Sequence, residues 1–302
     1  MKSFIKLIDD IFQNDPKPSE KINQISQSAP FIDLFPELHQ LKNTEQEPSH
    51  HPEGSAWNHT LLVIDVGASL FEPTKRDILP DFKKTNRSQF LWACLFHDIG
   101  KSVTTETING KVTSYGHDSI GSQIAHDRLS AVTSDKTLIN YVTQMTKQHM
   151  RMHQMLELKD SKIRQLMIDP HTPIRDLLAL NIADTMGRKG DPTKQLAKLQ
   201  LNEKIERIQE LSQGSFGQIV PYFDGLSIIE QLENLPFAIH PHNQYQKPLI
   251  DGLVKNLYTQ QLQGRTYNEV YQSLVRQLYQ RNCSFSQDDF QKTWGDIKKQ
   301  LT

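Results

Sequence analysis

The sequence predicts an all-α fold with one small β-hairpin. Three observations carry this reading. Apolar residues recur mostly at helical spacing, alternating apolar–polar runs are few, and Asn109-Gly110 in ETINGKVT is a strong hairpin signal because both residues tolerate positive φ. Residues 3–13 fit a short amphipathic helix. Residues 14–55 are rich in Pro, Ser, Asn, Gln and Glu around one apolar island, APFIDLFPEL, and read as a linker packing on the core. AWNHTLLVIDVGASLF (56–71) is a mostly apolar helix, and residues 87–99 form a second. In that second helix LWACLFHDIGK (91–101) carries an apolar run, Phe90 to Phe96, straight into His97 and Asp98, with Gly100 as the expected C-cap.

A third helix starts near His117, with Asp118 or Ser119 as caps. A fourth covers about 135–155. A fifth covers 173–187, with Thr172 as N-cap, Pro173 at the first helical position and its end near Gly187. RKGDPTKQ (188–195) reads as a loop. Leu196, Leu199, Ile205, Ile208 and Leu211 then fall in one long charged amphipathic helix, broken at QGSFGQ. Three or four further helices follow from about 221, including KPLIDGLVKNLYTQQL, TYNEVYQSLVRQLYQ and one after Ser286. The expected organisation is an N-terminal helix and linker (1–48), a central helical domain (49–190) and a helical C-terminal region (191–302) that packs on it.

The 34 basic and 35 acidic residues leave a net charge of -1, which excludes a strongly basic nucleic-acid binder but leaves small ligands, or a short RNA at a local patch. The two cysteines, Cys94 and Cys283, exclude a disulfide scaffold and fit a reducing cytosol. MKSFIKLIDDIFQNDPKP lacks the apolar core of a signal peptide, and no stretch approaches the ~18 apolar residues of a membrane span, so a cytoplasmic protein is expected. Oligomeric state leaves no signature.

Histidine is the informative residue, with 12 in the chain. His59 shares a helical face with Leu62, Val63 and Val66; His149 shares one with Val142, Met145 and Met152; Asp184 follows Leu177 by seven residues in an apolar helix. His117 opens a helix, where the dipole disfavours the imidazolium and so favours the neutral ring that a metal needs. Any one of these histidines, taken alone, is an ordinary core or surface residue. The carboxylates are harder to dismiss, since a lone ionised Asp in a core costs several kcal/mol unless paired. A divalent cation ringed by His59, His97, His117 and His149 would pair Asp98 and Asp184. A His/Asp donor set suits Ni, Co, Mn, Fe or Zn, with Mg possible, and the absence of Cys donors argues against a structural zinc site.

The pattern His59 … His97-Asp98 … Asp184 resembles the metal signature of the HD-domain phosphohydrolase superfamily. HPEGSAWNHTLLVID, LFHDIGK, YGHDSIGSQIA, KQHMRMH and ADTMGR follow one another in the order of the HD domain of some bacterial CCA-adding tRNA nucleotidyltransferases. The likeness covers roughly residues 30–190; the HD dipeptide alone is a weak signal, five ordered blocks a specific one. The resemblance implies an HD helical bundle holding one or two divalent transition-metal ions. His59, His97, Asp98 and Asp184 would hold the first, and Asp98 would bridge to a second completed by His117 and His149. It implies hydrolysis of phosphoesters, with 2′,3′-cyclic nucleotides, 2′-nucleotides, phosphomonoesters or RNA ends as substrates. Asp98, Lys101 and Arg151 are then the expected catalytic residues, the two cations stabilising phosphate charge. His51, Glu53, His153 and Arg188 are expected at the substrate, His153 being a rival metal ligand. The segment before residue 50 is too short and too poor in strand to form a nucleotidyltransferase head, so a free-standing HD module is expected. An HD-type deoxynucleotide hydrolase, an inactive nucleotide- or RNA-binding module, and a scaffold built on the C-terminal helices are the competing readings.

Overall fold

The computed structural model describes residues 2–75, 79, 82, 85–169, 171–213, 215–222 and 246–281. The chain forms two units, one of residues 1–158 with 166–218, the other of residues 159–165 with 219–302.

In the first unit, α1 (Lys2–Asn14), α2 (Pro18–Ile25), α3 (Ala29–Leu34) and α4 (Pro36–Gln40) precede the core. About half of what composition reads as a linker is therefore helical, in three short helices between residues 18 and 40. The signal that was passed over is proline: α2, α3 and α4 each carry Pro in their first two positions, where its missing N–H costs nothing. These helices are fastened by side chains. Asp9 accepts from Trp92 Nε1 at 2.7 Å, Asn23 Oδ1 accepts from Trp57 Nε1 at 2.9 Å, and Glu37 receives Arg128 through two hydrogen bonds of 2.7 and 2.5 Å. Phe12, Phe35, Trp92 and Phe96 interlock edge to face beneath them.

The centre of this unit is α5 (Ala56–Ser69), α6 (Arg87–Phe96), α9 (Lys136–His153) and α11 (Ile174–Met186), with α8 (His117–Val132) along α9. Ser55, Asn86 and Asp135 cap α5, α6 and α9 with their side chains, each accepting a free first-turn N–H. The apolar run of α6 is buried throughout. Its end differs from the expected glycine cap. His97 is the C-cap residue, the chain turns through 97–100 into the one-turn helix α7 (Lys101–Thr104), and Gly100 has φ -65°. Gly100 is needed for closeness instead: a Cβ there would run into the His117 carbonyl and the Gly121 amide. That approach sets the His97-Asp98 turn against the first turn of α8.

β1 (Glu106–Ile108) and β2 (Lys111–Thr113) pair antiparallel across Asn109-Gly110, at φ 51° and 77°. The start of α8 is capped by Gly116 in the left-handed region, not by Asp118 or Ser119. Pro173, not Thr172, is the N-cap of α11, one residue later than predicted. A helix absent from the sequence reading, α10 (Asp160–Met167), lies between α9 and α11. The long charged helix is two: α12 (Pro192–Leu199) and α13 (Leu201–Leu211) meet at Gln200, at φ 47°. α12 begins inside the segment read as a loop.

The second unit contains α14 (Gln246–Leu262) and α15 (Tyr267–Arg281), joined through Gly264 at φ 92°. Leu253, Leu257, Val270 and Leu274 form their core. Gln261 ties the 219–222 segment to α14, donating to the Val220 carbonyl at 2.7 Å and accepting from Tyr222 N at 2.9 Å. The helix predicted after Ser286, Cys283 and the His240-Pro241-His242 stretch lie outside the described residues. Among the described residues no helix is long and apolar enough to cross a membrane.

Candidate metal centre

Four helices and one turn bring the histidines together. His59 comes from α5, His97 and Asp98 from the turn after α6, His117 from the first residue of α8, His149 from the last turns of α9 and Asp184 from α11. All six side chains are buried, with His117 the most accessible at 9%.

Three imidazoles are held in the same way. His97, His117 and His149 donate Nδ1–H to the carbonyls three residues earlier, Cys94, Ser114 and Thr146, at 2.8, 2.8 and 2.7 Å. A carbonyl only accepts, so the proton is on Nδ1 and the Nε2 atoms face inward. Among the described residues Nε2 of His97 is buried and meets no well-aligned hydrogen-bond partner, its neighbour Asp98 Oδ2 lying at 3.2 Å. Nε2 of His117 and of His149 lie 3.2 Å apart. Two neutral rings in this tautomer would point lone pairs at each other, so the contact calls for a positive charge, either a bound cation or a proton on His117, whose basicity Asp98 raises. Burial and the neighbouring His117 hold His149 down to about 3, so it is neutral at any ordinary pH and does not supply that charge as a proton.

Asp98 sits in the middle and divides its two oxygens. Oδ2 lies 3.2 Å from His97 Nε2, 3.9 Å from His59 Nε2 and 2.6 Å from Lys101 Nζ; Oδ1 lies 3.2 Å from His117 Nε2 and 3.7 Å from His149 Nε2. Burial opposes ionisation of Asp98, but Lys101 and the histidines outweigh it and hold the carboxyl well below the carboxylate range. Burial lowers His97 and His117, and Asp98 more than restores both.

Asp184 reaches the cluster through His59, its Oδ1 being 3.0 Å from His59 Nε2 and 3.1 Å from the Arg188 guanidinium. Its Oδ2 accepts from His153 Nε2 at 2.6 Å. His153 Nδ1 in turn lies 3.2 Å from the Asn181 amide nitrogen, and Asn181 Oδ1 accepts from Lys204 Nζ at 2.7 Å. This chain fixes every orientation. Lys204 can only donate, so the amide of Asn181 faces His153 and the His153 proton faces Asp184. Both His153 nitrogens are thereby engaged, a positioning arrangement that spacing along α9 does not reveal. Lys204 was missed altogether, because a lysine in a charged helix reads as solvated, whereas this one is 2% exposed.

Glu53 forms a further corner, its Oε1 2.8 Å from His51 Nδ1 and 3.0 Å from His59 Nδ1. Burial would raise the Glu53 carboxyl, and the two histidines depress it instead. A carboxylate behind the far nitrogen of a ligating histidine orients the ring and raises its basicity. Three sets of donor atoms lie within 4.8 Å of one another and could hold a metal ion: His59, His97 and Asp98; Asp98, His117 and His149; and His51, Glu53 and His59. Asp184 is in none of these sets.

Of the expected phosphate-binding cations, Lys101 and Arg188 are at the site and Arg151 is not. Lys101 and Arg188 line a cavity of about 320 Å³ that opens beside His117. Arg151 is exposed on α9, and no ion pair or hydrogen bond of the described residues includes it.

A helical bundle closing a buried set of histidines on Asp98 presents donor sets of the kind that hold a metal ion. Residues 56–198 match the family model of the HD domain. The chain is similar to the multifunctional CCA protein of Halorhodospira halophila, at 29% identity over 50% of this chain and 33% of the relative. It is likewise similar to the multifunctional CCA proteins of Actinobacillus pleuropneumoniae (29% identity, 56% of this chain, 39% of the relative) and Mannheimia succiniciproducens (29%, 59% and 43%). The chain thus spans about a third to two-fifths of the length of these curated relatives.

Proposed function

We propose that the protein is a metal-dependent phosphodiesterase or phosphatase acting on nucleotides, with 2′,3′-cyclic nucleotides, 2′-nucleotides or RNA ends as substrates. The observation that carries the reading is the His117–His149 Nε2 pair, 3.2 Å apart and facing Asp98 Oδ1. Together with the His59–His97 side it favours room for two ions over the four-ligand arrangement of a deoxynucleotide hydrolase. In this reading His59, His97, Asp98 and Asp184 would hold one ion, and Asp98, His117 and His149 the other. A metal held there would supply Lewis acidity toward a phosphoester and a nucleophilic water.

The chain's own residues do the rest. Lys101, now 2.6 Å from Asp98 Oδ2 and 2.9 Å from Gln46 Oε1, stands at the cavity and balances charge on the phosphoryl oxygens. Arg188 orients Asp184 and offers a second cation at the same cavity. Glu53, with His51, fixes the His59 ring, and His153 fixes Asp184.

Purified protein is expected to hydrolyse bis(p-nitrophenyl) phosphate and 2′,3′-cyclic AMP with Mn, Ni, Co or Mg supplied, and to lose both activities to a chelator. A protein that binds no metal and cleaves none of the cyclic, 2′-, 3′- or 5′-nucleotides would sink the proposal.

A further inference from the structure

A second cavity, of about 180 Å³, adjoins the one at the metal centre. The two share His50 and Arg188 in their walls. Away from Arg188 the second cavity is lined by Lys189, Lys194 and Lys198, and the acid in its wall, Asp191, is the N-cap of α12, accepting from Thr193 N at 2.9 Å. Lys194 and Lys198 stand four residues apart and so share one face of that helix. All three lysines are exposed, and among the described residues none has an ion-pair partner. A chain of net charge -1 thus gathers three unpaired cations beside its catalytic candidate. At the rim of the first cavity stands Tyr115, 76% exposed, with no ring contact or hydrogen bond among the described residues.

We infer that the two cavities form one groove for the end of a single-stranded oligonucleotide. Resting on the proposed phosphoesterase reading, this names its substrate class as a polynucleotide end rather than a mononucleotide. The terminal phosphoester lies at the metal centre, the terminal base stacks on Tyr115, and the preceding phosphates run past Arg188 to Lys189, Lys194 and Lys198. The chemistry fits part by part. An exposed aromatic ring accepts any base by its face, and a file of lysines tracks a phosphate backbone without reading sequence. A mononucleotide fills the first cavity alone and leaves the lysines without a counter-charge.

The test uses the full-length protein and an RNA hexamer ending in 3′-phosphate, labelled at its 5′ end with fluorescein. Anisotropy measures binding whether or not turnover occurs. The Lys189→Ala/Lys194→Ala/Lys198→Ala variant is expected to bind at least tenfold more weakly, with the slope of log affinity against log salt reduced by about 2, as three lost single-strand phosphate contacts require. Tyr115→Ala is expected to weaken binding further at unchanged salt slope. In turnover, a hexamer ending in 2′,3′-cyclic phosphate should exceed 2′,3′-cyclic AMP in kcat/KM at least tenfold. The triple variant should lose that advantage while its rate on 2′,3′-cyclic AMP stays at the parent's, since the lysines line only the second cavity. Unchanged hexamer affinity in the triple variant, or equal competition by hexaglutamate, overturns the inference. Hexamer binding that behaves as expected without hydrolysis of either substrate keeps the groove and refutes the phosphoesterase reading.

Discussion

The two sides of Asp98 are built differently. Toward Oδ1, His149 is oriented by the Thr146 carbonyl of its own helix and His117 by the Ser114 carbonyl in the turn before α8, each three residues back. Toward Oδ2, His59 has Glu53 behind one nitrogen and Asp184 beside the other, and Asp184 is itself held by Arg188, His153 and, through Asn181, Lys204. The first side, toward Oδ1, thus has support that is local in sequence. The second rests on side chains from five separate segments. Its geometry can therefore be tuned or broken from a distance, while the first changes only when a ligand itself changes. The carboxylates are also unequal: the Oδ2 side has Glu53 and Asp184 besides Asp98, the Oδ1 side none, so the second ion should be the weaker.

Asp98→Ala removes the residue common to both sides. Expected are loss of both ions by elemental analysis and a fall in phosphoesterase activity on the order of 10³-fold or more, since the metal supplies several kcal/mol of charge stabilisation. Far-UV circular dichroism should be unchanged, because the turn is set by buried α6. His149→Ala then separates the sides. One ion should remain and activity should still fall steeply; two ions in that variant would refute the division of Asp98's oxygens. Glu53→Gln keeps the shape and removes the charge behind His59. A loss of about 10–100-fold in affinity for the first ion, with the second unaffected, is the expected result. An equal effect on both ions would mean that the two sides are not independent.

The Oδ1 side and the HD dipeptide were legible in the sequence for a physical reason. Polar residues on apolar helical stripes, such as His149 among Val142, Met145 and Met152, stand out because burying them requires a partner. The apolar run before His97 likewise announced a buried rod. The Oδ2 support was only partly legible. Glu53 and His51 were expected at the substrate and not behind a ring nitrogen of His59, and Lys204 carries no local signal, since a lysine in a charged helix reads as solvated. Arg151 and Arg188 show the same limit: both follow a site residue closely in sequence, but two residues from His149 on α9 turns Arg151 to solvent, while Arg188, just past the Gly187 C-cap of α11, folds back onto Asp184. The helices at 18–40 were obscured by a composition that resembles a linker, although their prolines stand at helix starts.

The smallest expected effect tests whether Lys204 belongs to this support. Burial lowers the Lys204 ammonium from the ordinary 10.5 to about 8. Between those values the unfolded chain binds a proton that the folded chain releases, so this group makes stability rise with pH across that window; below about pH 8 its penalty is complete and constant. Lys204→Met removes the penalty. In urea titrations the variant should gain most over the parent at pH 7.5, and its advantage should shrink by pH 9.5. The comparison is made as a difference between the two proteins because buried tyrosines such as Tyr141, held well above 10, act in the opposite direction at the alkaline end. The same variant leaves Asn181 free to turn its oxygen toward His153. That would pull the His153 proton away from Asp184 and loosen the Oδ2 side, lowering affinity for the first ion while His117 and His149 keep the second. A variant that is more stable at pH 7.5 yet binds the first ion less well would show that the buried lysine is retained for the site and not for the fold. A variant unchanged in ion affinity would reduce the relay to core packing.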